Sequence, residues 1–165
     1  MSEGYPGFIN LIHSAEWKNK LQSPSKADET YNIFKNEIKF EKYLNNIKNK
    51  KHLIAFNKFR LSDHKLMIEE GRRSRPRKPR NERTCKICDI VEDEIHFLME
   101  CKMFEDQREI LFDNICTKFP NFIRIIDNKA KFIFLLSQED EHVTKMIASN
   151  IFAWNQIREE KLSVV

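Results

Sequence analysis

Apolar residues recur every three or four positions along most of this chain, the interval at which a helix returns to the same face. Phe8, Leu11, Ile12, Ala15 and Leu21 place a first helical segment over 7–22, and Ser23-Pro24-Ser25 ends it. Ser25 or Asp28 can cap a second helix, in which Tyr31, Phe34, Ile38, Leu44 and Ile47 form the apolar stripe and lysines the other face. A third is expected from about 50 to 59 on Leu53, Phe56 and Phe59. Ser62-Asp63 then caps a short helix through Ile68, which Gly71 stops. Farther on, Phe104, Ile110, Leu111, Ile115, Cys116 and Phe119 predict a helix ended by Pro120, followed by a short apolar turn over 122–126. The run 131–136 is too short for its period to separate strand from helix, and its flanks favour helix. Val143, Ile147, Ile151, Trp154 and Ile157 mark a long amphipathic C-terminal helix that begins within 138–141. The fold class expected is all-α, and no internal repeat or low-complexity tract complicates it.

The pattern breaks once. Residues 71–84 hold seven basic side chains, two prolines and no apolar residue, so the stretch is expected to contribute nothing to a core. Pro76 and Pro79 also forbid a regular helix there. The chain therefore divides into an N-terminal helical region, 1–70, a basic Arg/Pro linker, 71–84, a Cys/His run, 85–101, and a C-terminal helical region, 102–165.

Composition narrows the picture. With 41% apolar residues, thirteen of them Phe, a chain of 165 residues can build a core, although 33% is charged. Three Gly and five Pro argue against a β-sandwich and against general disorder. No apolar run approaches the roughly 20 residues of a membrane span, and Met1 to Leu11 lacks the basic start of a secretory signal. An intracellular location, nuclear or cytoplasmic, with reduced cysteines is the expectation. Charge is uneven: residues 1–83 carry 19 Lys and Arg against 10 Asp and Glu, and residues 84–165 carry 10 against 15. The first half thus suits a polyanion and the second a protein surface or solvent.

The candidate chemistry lies in the Cys/His run. Cys85, Cys88, His96 and Cys101 form C-x2-C-x7-H-x4-C, four soft or borderline donors on a short stretch, as tetrahedral Zn2+ requires. Four protein ligands leave no open position for an activated water, so the metal is expected to be structural. Zinc deaminases place their histidine before the cysteine pair, and DNA-reading two-Cys, two-His fingers need about twelve residues between pairs. What remains is a small CCHC knuckle, or a zinc-stapled turn, between two helical parts. Cys116 could replace His96 as fourth ligand, and disulfide pairing is the other use of the thiols. Glu92, Asp93 and Glu94 are expected to be solvated, or to orient the imidazole. His13, His52, His64 and His142 are scattered and carry no expected role, while Trp17 and Trp154 read as core anchors. In the linker, Arg72, Arg73, Arg75, Arg77, Lys78, Arg80 and Arg83 can follow phosphates, because guanidinium forks match phosphate oxygens and arginine-rich segments order on RNA.

Four stretches together resemble the C-terminal tail of LINE-type (non-LTR) retrotransposon reverse transcriptases, downstream of the polymerase domain. They are Phe40-Glu41-Lys42-Tyr43-Leu44; Phe59-Arg60-Leu61-Ser62 with Leu66, Ile68-Glu69 and Gly71-Arg72; Cys85-Lys86-Ile87-Cys88; and the run from Glu92 to Cys101. Trp17 and Tyr31 fit more loosely. The resemblance spans about 17–115 and is specific mainly at the Cys/His run. It implies that the tail holds template RNA or target DNA during copying, and only the four ligands carry over residue by residue. The chain departs from the polymerase itself: nowhere are two aspartates adjacent, as its magnesium site needs, and no endonuclease site is visible. The functional expectation is a non-catalytic, zinc-dependent module that binds single-stranded RNA or DNA, without a small-molecule substrate and without a membrane. The alternative is a zinc-stapled helical module that docks a protein through its C-terminal helix.

Overall fold

The computed structural model describes Asn19, Ile33, Phe34 and residues 40–163. The expected helix over 7–22 and most of the second lie outside the described residues. Among the described residues the fold is all-α, with Thr84 and Val91 forming an isolated antiparallel bridge. Six α-helices follow one another: α1 Tyr43–Asn46, α2 Lys50–Arg60, α3 Met67–Arg73, α4 Glu105–Lys118, α5 Asn128–Leu136 and α6 Glu141–Ser163. No helix among the described residues is long and apolar enough to cross a membrane.

Local chemistry accounts for most boundaries. Asn49 Oδ1 accepts from the backbone N–H of Lys51 (2.9 Å) and His52, starting α2 and separating it from α1. Asp127 accepts from Ala130 N–H (2.8 Å) to start α5, and Asp140 from Val143 N–H (3.0 Å) to start α6. Pro120 ends α4 and begins a 3-10 turn over Pro120–Arg124. The short helix after α2 departs from expectation. Ser62 does not cap it but sits at a positive φ of 51° with its hydroxyl on Glu94 (2.6 Å). Helix α3 starts instead at Met67, whose N–H donates to Glu92 Oε2 (2.7 Å), a cap supplied from 25 residues away. Nor does Gly71 stop α3. It lies within the helix because the Arg83 stem crosses it there, and a Cβ at Gly71 would stand 2.6 Å from Arg83 Cγ.

The two helical regions share one core. Helix α6 buries Val143, Ile147, Ala148, Ile151 and Trp154, and α2 lies along it. Phe59 of α2 meets Phe97 at 5.6 Å and Phe132 of α5 at 6.2 Å. Phe97 meets Phe104 edge-on at 5.1 Å, and Phe104 stacks on Trp154 at 5.0 Å. Each such ring contributes about 1.5–3 kcal/mol by burial. Phe97 and Phe104 flank Cys101, so the Cys/His run is part of this core.

The acidic run is not solvated: Glu92 and Glu94 are buried. Glu92 accepts both Arg158 Nε (2.7 Å) and Nη2 (2.6 Å), joining the run to α6 in a fork-to-fork pair. Its backbone adds hydrogen bonds to Ile68 (3.0 Å) and Arg83 (2.9 Å). Burial works against the Glu94 carboxylate, but the His64 hydrogen bond (2.9 Å) and charge, with Ser62, outweigh it and hold its carboxyl below the usual range. Arg158→Met alone is expected to lose about 3–5 kcal/mol in urea unfolding, since Glu92 is left charged in the core. Adding Glu92→Gln should recover part of that loss. Losses that simply add would show that the two side chains are not coupled.

Candidate metal centre

The two halves of the Cys/His run are built differently. Cys85 and Cys88 lie on a tight knuckle in which Asp89 N–H donates to Cys85 O (2.9 Å) and Cys85 N–H to Ile90 O (2.8 Å). Asp89 closes the knuckle at a φ of 55°, a left-handed conformation that aspartate tolerates. The second half, H-x4-C, poses a geometric problem. In an α-helix five residues advance about 500°, leaving about 140° between the two side chains. The chain solves it with a π-helical turn over His96–Glu100, in which Cys101 N–H donates to His96 O at 2.7 Å. Asp93 Oδ1 accepts from His96 N–H (3.0 Å) at the start of this turn.

The result is a compact donor set. One ligand atom from each of Cys85, Cys88, His96 and Cys101 lies within 4.8 Å of all the others. Cys101 Sγ is 3.9 Å from Cys85 Sγ and 4.0 Å from Cys88 Sγ, far beyond a disulfide bond of about 2.05 Å. Cys88 Sγ also accepts from Lys102 N–H (3.4 Å). Both ring nitrogens of His96 are buried without a hydrogen-bond partner. The nearest carboxylate oxygen, on Glu100, stands 3.9 Å from Nδ1, too far to accept, so the imidazole faces the sulfur cage. Buried polar atoms left in this state are costly, and a cation among the four donors would take up one of the two ring nitrogens. This group can hold a metal ion.

The thiols of Cys85 and Cys101 act on one another. Cys101 beside it pushes the Cys85 thiol down to about 3, against burial, and that thiolate with burial drives the Cys101 thiol up. The pair therefore holds one thiolate and one thiol, and a cation beside them is what would let both ionise. Arg108 donates to Cys101 O (2.9 Å) and adds positive charge beside the cage.

The acidic run does not orient the imidazole as expected: Asp93 bonds the His96 backbone, and Glu92 and Glu94 bond Arg158, His64 and Ser62. Cys116 lies on α4, half-buried against the core and outside the donor group.

The basic stretch is more ordered than a linker. Arg72 pairs with Glu69 through Nε (2.8 Å), and Arg73 with Asp63 (3.0 Å). Arg83 is buried, contrary to a stretch with no part in the core, and donates to Ile68 O (3.0 Å) and twice to Lys78 O (3.0 and 2.8 Å). Arg80 reaches Asp93 at 3.2 Å. Arg75, Arg77 and Lys78 are exposed and have no side-chain partner among the described residues. Sequence reasoning missed three supports: Glu92 with Arg158, Asp93, and Arg83. Only the Asp93-to-His96 spacing, an N-cap pattern, was a local signal.

No protein-family model matches this chain, and no curated protein or solved structure matches it either.

Purified chain is expected to carry a single equivalent of metal, lost in Cys85→Ser and His96→Ala and kept in Cys116→Ser. Elemental analysis of the four proteins checks the set. Metal kept by His96→Ala and lost from Cys116→Ser would exchange the imidazole for the fourth thiolate. In a Trp17→Phe background, chelation should also red-shift Trp154 emission, because Phe104 on that indole adjoins Cys101. Unchanged emission would mean that the turn holds without metal.

Proposed function

We propose that this chain is a non-catalytic nucleic-acid-binding module held together by zinc, of the kind its resemblance to LINE-type reverse transcriptase tails implies. The observation that carries the reading is the Cys3His set around an unpartnered buried imidazole. Three thiolates and one imidazole favour zinc by softness and by tetrahedral geometry. Two sulfurs at about 2.3 Å from a tetrahedral ion stand about 3.8 Å apart, close to the 3.9 and 4.0 Å found here. A sphere filled by protein ligands offers no site for substrate or activated water, which supports a structural metal.

The basic loop supplies the contact surface. Arg75, Arg77 and Lys78 are exposed on the loop that precedes the knuckle in the chain, with Arg80 tied to Asp93 at the foot of the His96 turn. On the knuckle itself Ile87 and Ile90 are about half exposed, apolar contacts of the sort that unstacked bases can meet. The competing reading, a protein docked on the C-terminal helix, has less to work with. The apolar stripe of α6 is already buried within the chain.

Fluorescence anisotropy with single-stranded RNA and DNA over a range of salt tests the reading. If three or four phosphates are engaged, log affinity should fall with log salt at a slope of about −2 to −3. Arg75→Ala/Arg77→Ala/Lys78→Ala should flatten that slope, while Ile87→Ser should weaken binding and leave it. Absence of binding at low salt removes the nucleic-acid reading and leaves the protein-docking one.

A further inference from the structure

The loop after α3 does more than display charge. Arg83 folds back under it, its stem against Gly71 and its guanidinium on the carbonyls of Ile68 and Lys78. Lys78 N–H donates in turn to Gly71 O (3.0 Å), and Ser74 Oγ donates to Gly71 O (2.9 Å). Arg83 thereby spends its hydrogen bonds on backbone and fixes the loop on α3. Between loop and helix lies a cleft of about 560 Å³ lined by Ile68, Glu69, Arg77, Lys78, Pro79, Arg80 and Arg83. Four cations meet one carboxylate there, and Glu69 is already engaged by Arg72 and Arg73. The crowding is felt by Arg83, whose pKa lies below the ordinary arginine value through burial first and then through Arg77 and Arg80.

We propose that this cleft binds one phosphate group of a nucleic-acid strand, with Arg77, Lys78 and Arg80 as its contacts and Arg83 as a positioning residue. The strand as source of the phosphate rests on the nucleic-acid reading above; the cleft itself does not. The volume falls in the range that accepts a small ligand, roughly 300–1,000 Å³, and so admits a phosphate with part of its sugar. A preformed cradle spends less ordering entropy on binding than a free arginine-rich tail does. Anion binding neutralises the like charges that now face one another, at the cost of the Arg80–Asp93 pair, whose Arg80 is 61% exposed and weakly held.

Proton–nitrogen NMR of the metal-loaded full chain tests the site with inorganic phosphate, thymidine 5′-monophosphate and thymidine. Phosphate and the monophosphate should shift the amides of 77–83, and thymidine should not. Arg77→Ala/Lys78→Ala, both on the exposed loop, should weaken monophosphate binding at least ten-fold with the fold unchanged. Arg83→Lys keeps the charge but loses the fork, and should weaken binding comparably while thermal unfolding shows the core intact. Binding that Arg83→Lys leaves unchanged overturns the positioning role. Shifts absent from 77–83, or unaltered in the double variant, overturn the cleft even if the chain binds oligonucleotides elsewhere. Shifts in the cleft without oligonucleotide affinity sustain the cleft and overturn the nucleic-acid reading.

Discussion

His96 turns its side chain into a cage of sulfur while the residues that follow it enter the aromatic core. Both requirements meet in one π-helical turn. Its backbone carries Phe97, Leu98 and Met99 inward, and its ends present His96 and Cys101 to the same point. Without a cation that arrangement keeps two buried nitrogens unpaired, at about 1–3 kcal/mol for each unsatisfied group. A cation bound there would clamp the turn at both ends and hold Phe97 in register on Phe59, Phe104 and Trp154. A metal held there would act on the core as a whole, because the loop it closes contributes core residues.

From that turn the order spreads outward through charged groups. Glu92 passes it to α6 through Arg158 and to α3 through the Met67 N–H. Helix α3 passes it to the basic loop through Arg83. Cations that would otherwise sample many conformations are thus presented on a fixed frame. This chain of contacts would link the proposed phosphate binding to the integrity of the metal site, even though no basic residue of the loop belongs to the donor set.

Where structure follows from neighbouring residues, the sequence announces it. The α2 and α6 stripes, the α4 stripe except for Ile110, which is exposed, the stop at Pro120 and the four donors were legible, because a period, a proline or a spacing states them directly. What escaped was decided at long range. Glu92 reads as a solvated acid until Arg158, 66 residues later, lies beside it. Gly71 reads as a helix stop until Arg83 passes over it. Arg83 reads as one of seven loop cations until its guanidinium is found on two carbonyls. H-x4-C itself carried an unread signal, since five residues of α-helix cannot bring both donors to one ion and a π turn can.

X-ray absorption at the metal edge of the purified chain reads the coordination shell without any variant. The predicted shell is three sulfur scatterers at about 2.3 Å and one nitrogen at about 2.0–2.1 Å, the values for tetrahedral zinc. Four sulfurs would bring in Cys116 and displace His96. Oxygen scatterers would open the sphere to water and contradict a purely structural metal.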